Sequence, residues 1–376
     1  MHIDKPLYVN GYFLSQPFTG TGIVTIEHLK NIRKLSPKRK IILLFLEGQV
    51  EHPEEFGKTF SCDVHVMKLS YKIPGFLRRF IWEYIAIPRF FRDKTQSTYF
   101  STFLHPMMSF PGKGNTFAMI LHDIFPWKYS AYSTKATRKL YNFLMKRTIT
   151  NPKLTLITVS NTSRRDIISY FHLKKPVEVI VNGVDHVKEY PLESYIEVQE
   201  KFHIRRPYIF YMGGYDTRKR IVLLIEAFKM LRKEHAELLL VLGGNIHYQS
   251  NLYTDIKELL DGLPGVIHTG FLSASDMKSL YHYAAVVAHP TADEGFNVAI
   301  GEALMEKVPV LASDIPVHQE LWGKWIELVD FTDTQKVCKL LEEIIYSSNY
   351  VRKEMTSEDE QIFAWKHSAE QLLRLL

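Results

Sequence analysis

Two cysteines, Cys62 and Cys338, are all that the 376 residues contain, too few for a disulfide framework or a thiolate metal cluster. Long apolar runs are missing as well. The longest spans residues 41–46, far below the roughly 20 residues that cross a bilayer. The start, Met1-His2-Ile3-Asp4-Lys5, has no apolar stretch leading to a small-residue cleavage site, so a cytoplasmic, reducing location is expected. No Asp-x-Asp occurs anywhere, which removes the usual acidic pair for holding a divalent metal. Internal repeats and low-complexity tracts are absent too.

What is present describes a soluble globular chain, with 46% apolar and 23% charged residues, inside the ordinary range for packed domains. The length exceeds what one core usually serves and suits two α/β domains. The net charge of +6 conceals a division. Residues 1–190 hold 28 Lys and Arg against 14 Asp and Glu, a net +14, whereas residues 191–376 hold 19 against 27, a net −8. In the basic half, Lys128, Lys135, Arg138, Lys139, Lys146, Arg147 and Lys153 follow one another without an intervening acid. Residues 71–94 mix Lys72, Arg78, Arg79, Arg89 and Arg92 with Phe76, Phe80, Trp82, Tyr84, Phe90 and Phe91. Such a surface suits the inner, anionic face of a membrane; solvated helix faces over an aromatic core explain it equally well. No nucleic-acid partner is expected, because zinc-finger spacing, an RRM-type aromatic signature and a helix-turn-helix pattern are all missing.

Short β-rich apolar runs alternate with amphipathic stretches. Residues 7–9, 41–46, 64–67, 98–100, 117–121 and 156–159 read as strands, and the pattern restarts at 208–212, 237–242, 266–268, 285–289 and 310–312, with helices over 222–234 and 275–283. This alternation predicts two parallel-sheet domains. Periodicity breaks at 185–207, so residues 1–188 and 189–360 are expected to form the two domains with a ligand between them. The stretch 361–376, with Phe363, Trp365, Ala369, Leu372 and Leu373 at helical spacing, could close the second domain or pack back on the first.

Two loops carry the chemistry. Tyr211-Met212-Gly213-Gly214-Tyr215-Asp216-Thr217-Arg218-Lys219-Arg220 follows a strand and precedes a helix. Gly213 and Gly214 permit close backbone approach, and Arg218, Lys219 and Arg220 are expected to gather at a helix N-terminus whose free N–H groups favour anions. The segment is neither a Walker sequence nor a G-x-G-x-x-G fingerprint, and taken alone it is also explained as a basic turn. Glu294-Gly295-Phe296-Asn297-Val298-Ala299-Ile300-Gly301-Glu302 places two carboxylates around a turn that opens a helix, on a loop of the kind that holds ligands in open α/β sheets. A carboxylate such as Glu302 can accept two hydrogen bonds from a vicinal diol and suits a ribose; Glu294 can hold sugar hydroxyls, with the amides of Phe296, Asn297 and Val298 facing the same ligand. Acids in a first helical turn also occur for electrostatic reasons alone.

In that order, these segments resemble the retaining GT-B glycosyltransferases, in the large family 4 group whose members carry two Glu residues separated by seven. Thr19-Gly20-Thr21-Gly22-Ile23 resembles the group's glycine-rich first loop and His122-Asp123 its His-Asp pair after an N-domain strand. Thr158-Val159-Ser160-Asn161-Thr162-Ser163 with Val181-Asn182-Gly183-Val184-Asp185 resembles its paired signature, and Gly270-Phe271-Leu272-Ser273 also fits. The resemblance covers most of the chain and implies an α/β, GT-B fold: two Rossmann-like domains facing a central cleft.

It implies roles as well. Lys219 and Arg218 would bind the donor diphosphate, Glu302 the donor ribose and Glu294 the transferred sugar. Gly20 to Gly22 would border the phosphates and the acceptor, and His122 would lie near the reacting carbon. Glu294, His122 and Lys219 are thus the expected catalytic set, and Gly213, Gly214, Phe296, Asn297 and Val298 complete the expected donor-binding residues. The implied reaction moves a hexose from a GDP-mannose-like, UDP- or dTDP-linked donor to a glycan or lipid-linked hydroxyl, as in similar mannosyl- and rhamnosyltransferases of bacterial surface-polysaccharide pathways. No cofactor or metal is expected, and the two Glu residues are not a hydrolase acid and nucleophile pair. Two departures stand out: Gly213-Gly214 replaces a frequent Gly-Arg, and Asn297-Val298-Ala299 a common Gly-Leu-Pro. A sugar-nucleotide epimerase, a phosphorylase, or a sugar-nucleotide-binding protein without catalysis are the alternatives on the same fold.

Overall fold

The computed structural model of the chain describes residues 5–70, 72–128, 135–244, 259–260 and 262–376. The side chains of Tyr71, Phe76, Lys135 and Arg138, part of the basic and aromatic segments, lie outside the described residues. The chain forms two compact units, residues 1–182 with 365–376, and residues 183–364.

In the first unit, β1 (Leu7–Asn10), β2 (Ile41–Leu46), β3 (Asp63–Met67), β4 (Thr98–Ser101), β5 (Thr116–Ile120), β6 (Leu154–Thr158) and β7 (Glu178–Val179) build a parallel sheet in the order β3-β2-β1-β4-β5-β6-β7. All six residues of β2 are buried, which is why this strand reads as a continuous apolar run instead of alternating. In the second unit, β8 (Tyr208–Met212), β9 (Leu239–Gly243), β10 (Val266–Gly270), β11 (Val286–His289), β12 (Val310–Ser313) and β13 (Glu327–Val329) pair in the order β10-β9-β8-β11-β12-β13. Both sheets therefore reverse direction once, between β1 and β4 and between β8 and β11, and loops leaving the carboxyl ends of those strands diverge around a crevice. The edge strands β7 and β13 escaped the sequence reading because two or three residues are too few for any period to show.

Two domain limits differ from expectation. Residues 183–188, expected in the first domain, belong to the second unit, where the Val184 amide donates to the Phe363 carbonyl at 2.8 Å. Residues 361–364, expected with the terminal helix, also stay there, since Phe363 stacks on Trp322 with ring centres 4.6 Å apart. The helix Trp365–Leu375 belongs to the first unit, buries Trp365, Ala369 and Leu372, and places Ser368 Oγ 3.2 Å from His28 Nε2.

The basic, aromatic surface divides in two. Around residues 71–94 the aromatic side chains Trp82 and Phe91 are fully buried; Arg79 bonds Glu83 at 2.9 Å and lies 3.8 Å over the Tyr12 ring. The helix Lys135–Ile149 does the opposite, leaving Leu140, Tyr141 and Phe143 exposed among Lys139, Lys146 and Arg147. Among the described residues no helix is long and apolar enough to cross a membrane.

Candidate functional site

At the reversal point of the second sheet, the loops after β8 and β11 are stitched together. Residues Thr217–Lys219 form one 3-10 turn, and Arg220 takes a left-handed conformation at φ 47° before the helix Ile221–Leu231. That reversal leaves Arg220 exposed and within electrostatic range of Asp330, so the expected trio of cations is a pair, Arg218 and Lys219. Arg218 Nη1 donates to the Asp293 carbonyl at 2.6 Å and lies 3.1 Å from Glu294 Oε2. Lys219 Nζ lies 2.5 Å from Glu294 Oε1, and the Ala292 amide donates to the Arg218 carbonyl at 2.8 Å. Burial by itself would raise the Glu294 carboxyl, but Lys219 and Arg218 override it and hold the group at about 2. The carboxylate thus stays charged and fixes both cations, as buried charge requires.

Glu302 answers to different partners. It lies in the second turn of the helix Val298–Met305, which has no acid in its first turn, so helix-start electrostatics does not explain it. Its Oε1 lies 3.0 Å from His186 Nε2 and its Oε2 accepts from the Tyr281 hydroxyl at 3.1 Å, with the side chain almost wholly buried. The seven-residue spacing therefore does not bring the two carboxylates to a shared partner. Each oxygen keeps a second lone pair for a ligand.

Between them, the loop rests on aromatic packing. Trp322 Nε1 donates to the Phe296 carbonyl at 3.0 Å, and the two rings meet at 5.2 Å. A Cβ on Gly301 would lie 2.6 Å from Val184 Cγ1 and 2.9 Å from Trp322, so glycine is what lets helix and tryptophan close up. Phe296 itself is buried and its carbonyl is taken by Trp322, which leaves its amide for any ligand. Asn297 heads the helix in the left-handed region at φ 66° and ψ 75°, a conformation that asparagine tolerates better than most residues. The Val298 and Ala299 amides, in the first turn, have no carbonyl to meet within the helix, and a left-handed residue followed by helical ones forms an anion-binding concavity.

Neither Gly213 nor Gly214 is left-handed; a Cβ on Gly213 would meet the Tyr211 hydroxyl at 2.9 Å and one on Gly214 only Asp216 Oδ2 at 3.5 Å. The tight approach is at Gly244, φ 102°, where a Cβ would lie 2.5 Å from the Gly213 carbonyl oxygen.

In the first unit, Gly20 and Gly22 open the helix Gly20–Leu35 and do not lie in a free loop, because Thr19 caps it by accepting from the Gly22 amide at 3.1 Å. Gly22 is required, since a Cβ would fall 2.0 Å from the Gln16 carbonyl oxygen, whereas Gly20 has open space. His122 follows β5. Its Nε2 lies 2.8 Å from the Thr102 carbonyl, which can only accept, so Nε2 carries the proton and Nδ1 the lone pair. Burial lowers its pKa. Ser163 donates to the His122 carbonyl at 3.0 Å, while Asp123 accepts from the Phe125 amide at 3.1 Å. Of the two paired motifs, the one at 158–163 thus helps hold the histidine in place, through Ser163.

His186, Tyr281, His289, His318 and Trp322 were not anticipated. Tyr281, His318 and Trp322 sit on helices packed under the loop, and no spacing in the chain connects them. His289, which ends β11, carried the one visible signal: a polar residue closing an apolar strand. Its ring is buried with Nε2 unpartnered, and burial, with Lys219 and His318, lowers its pKa to about 3. As to metals, Glu234, His235 and Glu342 have ligand atoms within 4.8 Å of one another; His235 bonds Glu342 at 3.0 Å and stacks on Tyr346 at 4.0 Å, which accounts for the group without an ion.

Residues 196–360 match the family "Glycosyl transferases group 1". The O-antigen chain mannosyltransferase B of Escherichia coli is 26% identical over 209 residues, 54% of either chain, so the chain spans about half the length of the curated relatives it matches. Among solved structures, a sucrose-phosphate synthase from Thermosynechococcus elongatus superposes with a TM-score of 0.72 at 16% identity, covering 99% of this chain and 98% of that one. Anabaena HepE in complex with UDP and glucose gives 0.68 at 17%, covering 99% and 98%. At those identities the likeness shows the fold, and the fold is GT-B.

Proposed function

We propose that this chain, whose residues 196–360 form a glycosyl transferases group 1 domain, transfers a hexose from a nucleotide diphosphate sugar to a hydroxyl acceptor with retention of anomeric configuration. The observation that carries the reading is the Arg218–Lys219–Glu294 cluster at the sheet's reversal point, in the same loop pair as the open amides of Val298 and Ala299. As the bond from the anomeric carbon to the phosphate oxygen breaks, charge grows on the diphosphate. Two cations already fixed by Glu294 stabilise it without reorganising. The acceptor oxygen bonds to the carbon on the face the phosphate leaves, and the departing phosphate oxygen takes the acceptor's proton. Glu302 holds the ribose and His122 serves the reacting carbon. The name of the Escherichia coli relative supports surface-polysaccharide assembly as the setting, and the UDP complex of HepE supports a nucleotide ligand in this fold.

The test is a thermal-shift panel of GDP-, UDP- and dTDP-hexoses, in which a ligand of the native state raises the midpoint, followed by turnover with the donor so found. Nucleoside diphosphate should appear only when acceptor is present, and NMR of the product should show the donor's anomeric configuration. Conversion of the donor without acceptor would instead indicate an epimerase or hydrolase, and binding without turnover a non-catalytic protein.

The proposal includes a membrane-facing first unit that meets a lipid-linked acceptor through Leu140, Tyr141 and Phe143 amid Lys139, Lys146 and Arg147. Sedimentation with anionic vesicles should fall as salt rises, because screening shortens the reach of those charges. Equal binding to neutral vesicles would remove this part of the proposal.

A further inference from the structure

His318 lies fully buried on the helix Pro316–Leu321, one turn beyond β12. Its Nδ1 lies 2.8 Å from the Ser313 carbonyl; a carbonyl only accepts, so Nδ1 bears the proton. Burial lowers the His318 pKa to about 4, so at neutral pH the ring is uncharged and Nε2 carries a lone pair. Asn297 Nδ2 lies 3.1 Å from that nitrogen and must donate to it. The orientation of the Asn297 carboxamide, usually an open choice between two flips, is therefore dictated by a backbone carbonyl two hydrogen bonds away. Its oxygen, Oδ1, is turned to the other side of the group and has no hydrogen-bond partner among the described residues.

A second polar group of the same cluster is buried as well as unpartnered. His289 is 3% exposed and its Nε2 has no partner, while Lys219, His318 and Glu294 all act on its ring electrostatically. A buried nitrogen without a partner is uncommon in a folded protein and calls for an explanation. A hydroxyl both donates and accepts, so it satisfies Asn297 Oδ1 and His289 Nε2 alike; a polyhydroxylated ligand supplies several.

We infer that His318 is a positioning residue for recognition of the donor's hexose, locking Asn297 so that Oδ1 accepts a hydrogen bond from a sugar hydroxyl. This rests on the donor-site reading above and adds to it the element that selects the sugar. The left-handed backbone at Asn297 puts a side chain where glycine would offer none, and a site built to bind a hydroxyl rejects the analogue lacking it.

Calorimetric titration with GDP, GDP-mannose, UDP and UDP-glucose tests it, read as the affinity ratio of each sugar nucleotide to its free diphosphate. For the preferred pair, Asn297→Gly, which suits the left-handed backbone, should lower that ratio about tenfold, the worth of one hydrogen bond. His318→Leu should do the same. His318→Gln, which can donate to Ser313 and accept from Asn297, should restore the ratio, a result that loss of packing alone does not produce. An unchanged ratio in Asn297→Gly, with diphosphate binding intact, overturns the inference and leaves the donor site standing. Wild-type protein that binds neither diphosphate overturns the donor-site reading and the inference with it.

Discussion

Lys219→Ala should lower turnover by about 10²–10³-fold, the cost typical of deleting one preorganised group that stabilises charge in a transition state, while leaving a folded protein. Lys219 is partly exposed at the end of a short turn, and its ammonium lies 2.5 Å from Glu294, so the change removes no core packing. It does unbalance the cluster. Glu294 keeps only Arg218 as a cationic partner, and its carboxyl should move up toward the ordinary range. Arg218 cannot substitute fully, because its guanidinium is held by the Asp293 carbonyl as well. Lys219→Arg should recover only part of the rate, since a planar fork does not occupy the place of a compact point charge. Steady-state kinetics with the donor identified by thermal shift decides the matter. A kcat/KM within about tenfold of wild type would mean that the charge on the leaving group is met elsewhere.

Trp322→Ala should produce the largest loss of stability, about 3–5 kcal/mol, as expected for deleting a buried indole from a core that cannot collapse into the space. Trp322 has no exposed surface. It stacks on Phe363, meets Phe296 edge-on, and bonds the Phe296 carbonyl, while Gly301 is held against it without a side chain. Four supports therefore fail together, two of them on the loop that carries Asn297. Denaturant unfolding should show the lost stability, and calorimetry should show weaker diphosphate binding at temperatures where the variant remains folded. A loss below about 1 kcal/mol, the level of an ordinary surface change, would contradict this packing.

The central strands were legible from residue order because each is a local property. Tyr208–Met212 and Ile41–Leu46 are continuous apolar runs of strand length, and their burial in parallel sheets is the physical reason for the pattern. The loops at 211–220 and 294–302 were legible for a related reason. They join a strand to a helix, so their glycines, cations and carboxylates are concentrated in short stretches.

Partnership was not legible. Glu294 and Glu302 look like a pair in the chain, yet one is bound by Arg218 and Lys219 and the other by His186 and Tyr281. Arg220 looks like a third cation until its own left-handed backbone turns it outward. Residue order by itself thus determined that this protein is a two-domain α/β chain with a basic and an acidic loop opening helices in its second half. Tertiary structure alone decided which charges meet, which histidine tautomer holds Asn297, and where a glycine is indispensable. Several of those outcomes depend on groups far apart in the chain, 21 positions for Asn297 and His318 and 116 for His186 and Glu302, and no local propensity encodes such distances until the sheets have closed.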